Sequence, residues 1–233
     1  QAQVPYFQLV PQNSSKYASI VVDAKTGEVL YGKRADSPRY PASITKVMTS
    51  YVVAAERKAG KIKDGDLVTI SENAWRHGGA VTDGSTSFLE LNSQVPLGDL
   101  LKGMIIQSGN DASIAIAEHV AGSESTFAAL MNQYAEKLGL KNSHFVNAHG
   151  LYDPEHYMSA HDIAELSRAL IREFPEEYAH YSLKDYTWNE HTQRNRNILL
   201  WRDPSVDGIK TGHLSQAGYC LAASAKRGDT RLI

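Results

Sequence analysis

The chain has 233 residues, 42% hydrophobic and 21% charged, enough apolar content to bury a core in one large domain or two small ones. Lys plus Arg number 24 against 26 Asp plus Glu, a formal net charge of −2, so no basic excess draws it to nucleic acid or to an anionic membrane. The single cysteine, Cys220, excludes an internal disulfide, and no run of about 18 apolar residues is present to span a bilayer.

Gln1-Ala2-Gln3 has no initiator Met and no apolar run behind it, and reads as the start of a mature or trimmed chain. After a polar lead-in, residues 17–22 are rich in β-formers, 24–27 read as a turn and 28–31 as a second strand, which predicts a hairpin. Pro38 and Pro41 bracket a loop. From Ser43 to about Ala59, Ile44, Val47, Met48, Tyr51, Val52 and Ala55 recur at the helical period and predict a helix with one core-facing stripe, closed by Gly60. Further helices are predicted over residues 97–107, 112–121 and 123–138; Ser108-Gly109-Asn110 breaks the first from the second, and Gly139 stops the third. Ser159-Ala160-His161-Asp162 resembles a capping box and opens a helix that Pro175 ends. Strands return at 185–188 and 206–210, and residues 219–225 meet 230–233 across Arg227-Gly228-Asp229. The chain stops four residues into that last strand, which leads us to expect that more chain follows. Strands at both ends with helices between them predict an α/β (α+β) fold in one domain over residues 1–233, with an antiparallel sheet of N- and C-terminal strands flanked by a helical cluster.

Three short elements carry the chemistry, in the order Ser43-Ile44-Thr45-Lys46, Ser108-Gly109-Asn110 and Lys210-Thr211-Gly212. Ser-x-x-Lys at a helix start puts both side chains on one face, one turn apart. A serine hydroxyl needs a base beside it to attack a carbonyl. A lysine amine serves as that base when desolvation or a neighbouring cation lowers its pKa, and here burial beside Val47 and repulsion from Lys210 are the two candidate causes. Two further matches, Lys25-Thr26-Gly27 and Ser71-Glu72-Asn73, read as a hairpin turn and a helix N-cap. Ser108-Gly109-Asn110 instead lies between two apolar helices, and Lys210-Thr211-Gly212 ends a predicted strand whose small Gly212 lets a substrate backbone approach.

The ordered set resembles that of penicillin-binding proteins and class A β-lactamases, and the chain from about Tyr17 onward is similar to the low-molecular-mass D-alanyl-D-alanine carboxypeptidases. The likeness is carried by the stretches 41–46, 108–112, 142–145, 149–151, 196–201 and 206–213. It implies a DD-peptidase/β-lactamase-like fold in which Ser43 attacks the carbonyl between two D-alanines and Lys46 takes its proton. Ser108 passes a proton to the departing D-alanine, Asn110 holds the substrate backbone, and Lys210 and Thr211 bind the terminal carboxylate. The backbone N–H groups of Ser43 and His213 form the oxyanion hole. The resemblance implies peptidoglycan stem peptides and β-lactam antibiotics as partners and no cofactor. It further implies a periplasmic location, with membrane attachment only through a C-terminal anchor not present in this chain. Many relatives carry a cysteine where Ser113 stands, so sensitivity to thiol reagents does not carry over.

Rival readings each lack a feature. A class A-like β-lactamase needs an acid to activate the deacylating water, usually in Glu-x-x-x-Asn, and no such stretch lies between Asn110 and Lys210. A zinc peptidase would draw on His144, His149, His156 and His161, but their spacing lacks His-Glu-x-x-His. No Gly-x-Ser-x-Gly elbow supports a Ser-His-Asp hydrolase. DD-endopeptidase action and a non-catalytic peptidoglycan-binding module remain as alternatives.

Overall fold

The computed structural model describes residues 14–80 and 85–233, so the expectation for Gln1–Gln3 lies outside the described residues. Strands β1 (Ser19–Val22) and β2 (Val29–Lys33) form the predicted hairpin. Asp23 builds its turn by accepting from the Lys25 and Thr26 amides at 2.9 and 3.0 Å, and Gly27 supplies φ +79°. A 3-10 turn over Ala42–Ile44 then feeds α1 (Thr45–Lys58), so Ser43 sits on the turn before the helix rather than at its first residue.

The one-striped expectation for α1 is corrected by its surroundings. Every residue from Thr45 to Ala54 is buried, because helices enclose it on all sides. Its polar side chains are therefore all partnered. Thr49 Oγ1 donates to the Ala148 carbonyl at 2.8 Å, Ser50 Oγ donates to Glu177 at 3.0 Å, and Thr45 and Lys46 serve the site described below. Gly60 lies just past the helix end at φ +80°, where a left-handed residue closes the last turn.

Two three-residue strands that no periodicity could register, β3 (Leu67–Thr69) and β4 (Gln94–Pro96), pair beneath the helical cluster. The cluster is completed by α2 (Leu97–Ile106), α3 (Asn110–Ala121), α4 (Glu124–Leu138) and α5 (Ala160–Glu173). Helix α3 starts at Asn110, two residues earlier than expected, with Gly109 as its N-cap. The capping box of α5 is half formed. Ser159 Oγ accepts from the Asp162 amide, but the Asp162 carboxylate turns away to accept from the Asn142 amide and Ser143 Oγ. Pro175 ends α5 and also opens a further helical turn, Pro175–Tyr178, where a missing N–H costs nothing.

Strand β5 (Asp185–Trp188) finds an unanticipated partner in β6 (His191–Arg194). The chain closes with β7 (Val206–Leu214), β8 (Gly218–Arg227) and β9 (Thr230–Leu232). Val22 and Ile233 exchange backbone hydrogen bonds of 2.9 and 3.1 Å, which joins β1 to β9. The result is an antiparallel sheet in the order β2-β1-β9-β8-β7, the predicted pairing of the chain's two ends. Strand β7 is its edge, and the unpaired side of β7 runs past the Ala42–Ile44 turn.

Candidate active site

The first two sequence elements converge on one buried amine. Lys46 is 1% exposed, and its Nζ lies 3.0 Å from Ser43 Oγ, 3.0 Å from Ser108 Oγ and 2.7 Å from Asn110 Oδ1. Lys46 follows Ser43 by three residues, so one helical turn brings the pair together. Ser108 and Asn110 arrive from more than 60 residues away on the break between α2 and α3. That break is sharp because Ser108 takes φ +58°, a left-handed conformation that carries strain for a residue with a Cβ. A neutral lysine amine has two N–H donors and one lone pair. In this cradle it donates to Ser108 and Asn110 and accepts the Ser43 hydroxyl proton.

Electrostatics favour that neutral form. Burial holds Lys46 well below the ordinary lysine value, and the charges of Lys210 and Arg196 push it further, against an opposing pull from Asp111. Lys210 is itself 4% exposed, and burial followed by the Arg196 charge brings it down to about 7. Both causes foreseen for Lys46 are present; Arg196 is the one that sequence reasoning missed.

Gly212 also makes a close approach within the chain. A Cβ at Gly212 would sit 3.0 Å from the Ser43 amide nitrogen and 3.2 Å from Ala42 Cβ, so its smallness lets β7 approach the nucleophile turn. His213 packs its ring at a tilt of 39° against the exposed Tyr219, centroids 4.4 Å apart, directly across from it on β8. Thr211 follows Lys210 on the same edge strand, and its carbonyl accepts from Lys210 Nζ at 3.2 Å.

Four supporting residues had no assigned role. The Asp111 carboxylate accepts from the Ser87, Leu89 and Ala112 amides and from Thr86 Oγ1, pinning residues 86–89 beside Asn110. An acid in the first turn of α3 was the available signal. Gly150 presses against the Ala42 carbonyl, where any side chain would collide. His156 accepts from the Val146 amide through Nδ1, so its Nε2–H donates to Thr45 Oγ1 at 2.8 Å and holds the first residue of α1. Burial brings that imidazole down to about 4, which keeps it neutral. Arg196 donates to Ser85 Oγ at 2.7 Å, and the Ser85 carbonyl accepts from the Asn110 amide.

The duplicate motifs lie elsewhere. Lys25-Thr26-Gly27 is the β1–β2 turn, braced by Arg168 on the Ala24 carbonyl. Ser71 caps a short helix by accepting from the Ala74 amide, and Asn73 donates to Glu118 and Glu124.

The four histidines do not converge either. His149 faces Glu124, His161 faces Asp36, His144 meets the Glu155 carbonyl and His156 holds Thr45. Among the described residues no group of three or more His, Cys, Asp or Glu is placed to hold a metal ion.

The D-alanyl-D-alanine carboxypeptidase family model matches residues 7–233. The chain belongs to that family. Two relatives are the D-alanyl-D-alanine carboxypeptidases DacA of Haemophilus influenzae, 48% identical over 97% of this chain and 58% of the relative, and of Escherichia coli K12, 50% identical over 96% and 56%. The crystal structure of penicillin-binding protein 5 from Haemophilus influenzae superposes with a TM-score of 0.89, at 48% identity over 92% of this chain and 62% of that one. The chain thus spans less than two thirds of the length of these relatives. The family assignment agrees with the expected fold, and no helix among the described residues is long and apolar enough to cross a membrane.

Within this carboxypeptidase family member, one buried glutamate between the second and third motifs has a structural partner set. Glu177, in the segment between α5 and β5, is 1% exposed and accepts from Ser50 Oγ and Arg57. Ser50 lies seven residues past Ser43, roughly 10 Å along the helix axis at 1.5 Å per residue. Glu177 braces α1 at that depth and does not stand beside the nucleophile.

Proposed function

We propose that this chain is the catalytic domain of a serine DD-carboxypeptidase that removes the terminal D-alanine from peptidoglycan stem peptides. The observation that carries the reading is the buried amine of Lys46, 3.0 Å from each of two serine hydroxyls. Ser43 Oγ attacks the carbonyl carbon of the D-Ala-D-Ala bond while Lys46 Nζ takes its proton. The backbone N–H groups of Ser43 and His213 receive the developing oxyanion. Lys46 then returns the proton by way of Ser108 to the departing D-alanine nitrogen, the C–N bond breaks, and the acyl group stays on Ser43. Water attacks the ester, the stem peptide leaves with a new carboxylate, and Ser43 regains its proton. Asn110 holds the substrate backbone, and Lys210 and Thr211 bind its terminal carboxylate.

A β-lactam enters the same cycle at the first step, so β-lactams are ligands as well as the stem peptides. The substrate places the site in the periplasm, with membrane attachment through sequence outside this chain. Endopeptidase action is less favoured. The D-alanyl-D-alanine endopeptidase of Escherichia coli is 32% identical, against 48% and 50% for the two carboxypeptidases.

Intact-mass measurement after incubation with a penicillin tests the reading. One adduct, mapped to the peptide containing Ser43 and absent from Ser43→Ala, is expected. An adduct that persists in Ser43→Ala overturns the assignment.

A further inference from the structure

We infer that a second ligand site lies at the far end of α1, a small pocket around Glu56 that binds the zwitterion of a small amino acid, with free D-alanine as its ligand. The chemistry of the pocket stands on its own residues; the choice of D-alanine rests on the DD-carboxypeptidase reading, whose product it is.

Glu56 is the buried carboxylate that the fold leaves short of partners. Among the described residues the buried acids are Glu56, Asp111, Asp162 and Glu177. Asp111 accepts from the Ser87 amide at 2.8 Å, Asp162 from Ser143 Oγ at 2.7 Å and Glu177 from Arg57 at 3.0 Å. Glu56 is 5% exposed, yet its closest described donors, Lys61 Nζ and Tyr134 Oη, both stand 3.5 Å from Oε2. A carboxylate taken out of water needs closer and better-placed donors than these. Lys61 is a loose partner as well, since 68% of its side chain lies in solvent.

The Glu56 carboxylate opens on a cavity. About 150 Å³ is bounded by Glu56, Lys61, Ile62, Asp66, His119 and Val120. Glu56 comes from the last turn of α1, Lys61 to Asp66 from the turn into β3, and His119 and Val120 from the end of α3. Pockets for drug-sized ligands run to about 300–1,000 Å³, so this one takes a ligand of only a few heavy atoms. Asp66 is already satisfied, accepting from the Lys63 amide at 3.0 Å and meeting His119 Nε2 at 3.1 Å. That leaves Glu56 to receive an ammonium and Lys61, once released from it, to receive a carboxylate. Ile62 and Val120 supply an apolar wall that suits a methyl group. An ammonium, a carboxylate and a methyl on one carbon make alanine, and the D form is what the proposed reaction releases. Glu56 lies ten residues past Lys46, roughly 15 Å along α1 at 1.5 Å per residue, so this ligand sits outside the catalytic cleft.

Titration of D-alanine into the protein, followed by amide NMR spectra, tests the site. Signals of Lys61, Ile62, His119 and Val120 should shift and saturate together, with a Kd on the order of 1 mM for so small a ligand. Glu56→Gln should weaken D-alanine roughly 10- to 100-fold, the range for a hydrogen bond between charged groups. Lys61→Ala, at an exposed residue, should weaken D-alanine about 3- to 10-fold but leave ethylamine, which has the ammonium without the carboxylate, unaffected. On wild type, ethylamine and L-alanine should each bind at least about threefold more weakly than D-alanine. No shift at the pocket up to about 50 mM, shifts confined to cleft residues such as Ser108 and Thr211, or D-alanine binding unchanged in both variants would overturn the inference. Ethylamine binding as tightly as D-alanine would remove the zwitterion, and L-alanine binding as tightly would remove the link to the reaction; either result overturns the assigned ligand. The absence of a Ser43 adduct with penicillin is a separate failure, of the DD-carboxypeptidase reading and with it the choice of D-alanine, and the same titration still decides whether the pocket binds an amino acid.

Discussion

Replacing Lys210 by methionine should make the protein more stable while destroying its site. The ammonium of Lys210 is almost wholly buried, and among the described residues its side chain donates only to the carbonyl of the next residue, at 3.2 Å. Burial and the Arg196 charge place its folded-state pKa at about 7, against an ordinary 10.5. A lysine whose pKa falls on folding holds its proton less tightly in the folded chain than in the unfolded one. Its penalty is complete below pH 7 and fades as pH rises to 10.5, because stability rises with pH wherever the unfolded chain binds more protons. At about 1.4 kcal/mol for each pH unit in that window, the penalty is on the order of 5 kcal/mol at pH 6 and roughly 3 kcal/mol at pH 8. Methionine fills similar space without charge and removes most of it. Urea midpoints at pH 6, 8 and 9.5 measure the effect. With a slope of about 3 kcal/mol per molar, the Lys210→Met midpoint should lie roughly 1 M above wild type at pH 8, and the gap should widen at pH 6 and shrink at pH 9.5. Acylation by penicillin should fall about 100- to 1000-fold. A methionine variant that is no more stable at pH 6, or a gap that does not change with pH, would refute the claim that this charge is carried at a cost.

Gly212→Ala should slow acylation by about 10- to 100-fold while leaving the urea midpoint within about 0.5 M, because the new Cβ pushes on the Ser43 amide; wild-type rates would show that β7 tolerates the contact. For Lys46 the neutral form reacts, so acylation should climb as pH rises through its lowered pKa, and Lys210→Met should move that climb to higher pH by removing a neighbouring cation. Lys46→Arg, which keeps the charge, should lose nearly all acylation at every pH; an active arginine variant would assign the proton to another group. Lys25→Ala should change neither stability by more than about 0.5 kcal/mol nor acylation, since its turn is held by backbone bonds to Asp23; a loss comparable to that of Lys210→Met would reverse the choice between the two Lys-Thr-Gly copies.

What the sequence disclosed follows the range of the interactions. Ser43 and Lys46 meet through one helical turn, and Gly60 and Gly139 end helices through their own φ of +80° and +72°; such features are written within four residues. The order of the three motifs carried the family, and the family carried the fold. Arg196 and Ser85 are 111 residues apart, and His156 and Thr45 also 111, so nothing local marks either pair. Gly150 against Ala42 and Gly212 against Ser43 are close approaches between separate segments. Each glycine stood inside a recognised stretch without its reason being visible. The β3–β4 pair was missed for another cause, since three residues are too few for alternation to show.

The site keeps its geometry against its own energetics. Ala42 and Ser108, which flank the nucleophile and the proton relay, both hold positive φ, at 51° and 58°. Such backbone costs on the order of 1–3 kcal/mol each and persists only where neighbours over-determine it. The neighbours are identifiable here. Gly150 and Gly212 close on the Ala42–Ile44 turn from two sides, while His156 and the Ala148 carbonyl hold Thr45 and Thr49 on α1. Asp111 fixes the far wall with four hydrogen bonds. Two buried lysines add an electrostatic cost to the strain, and that cost is what keeps an amine neutral beside a serine hydroxyl. Relaxing the frame would stabilise the protein and raise the Lys46 pKa together, so the enclosure of Lys46 on α1 is part of what keeps its amine neutral.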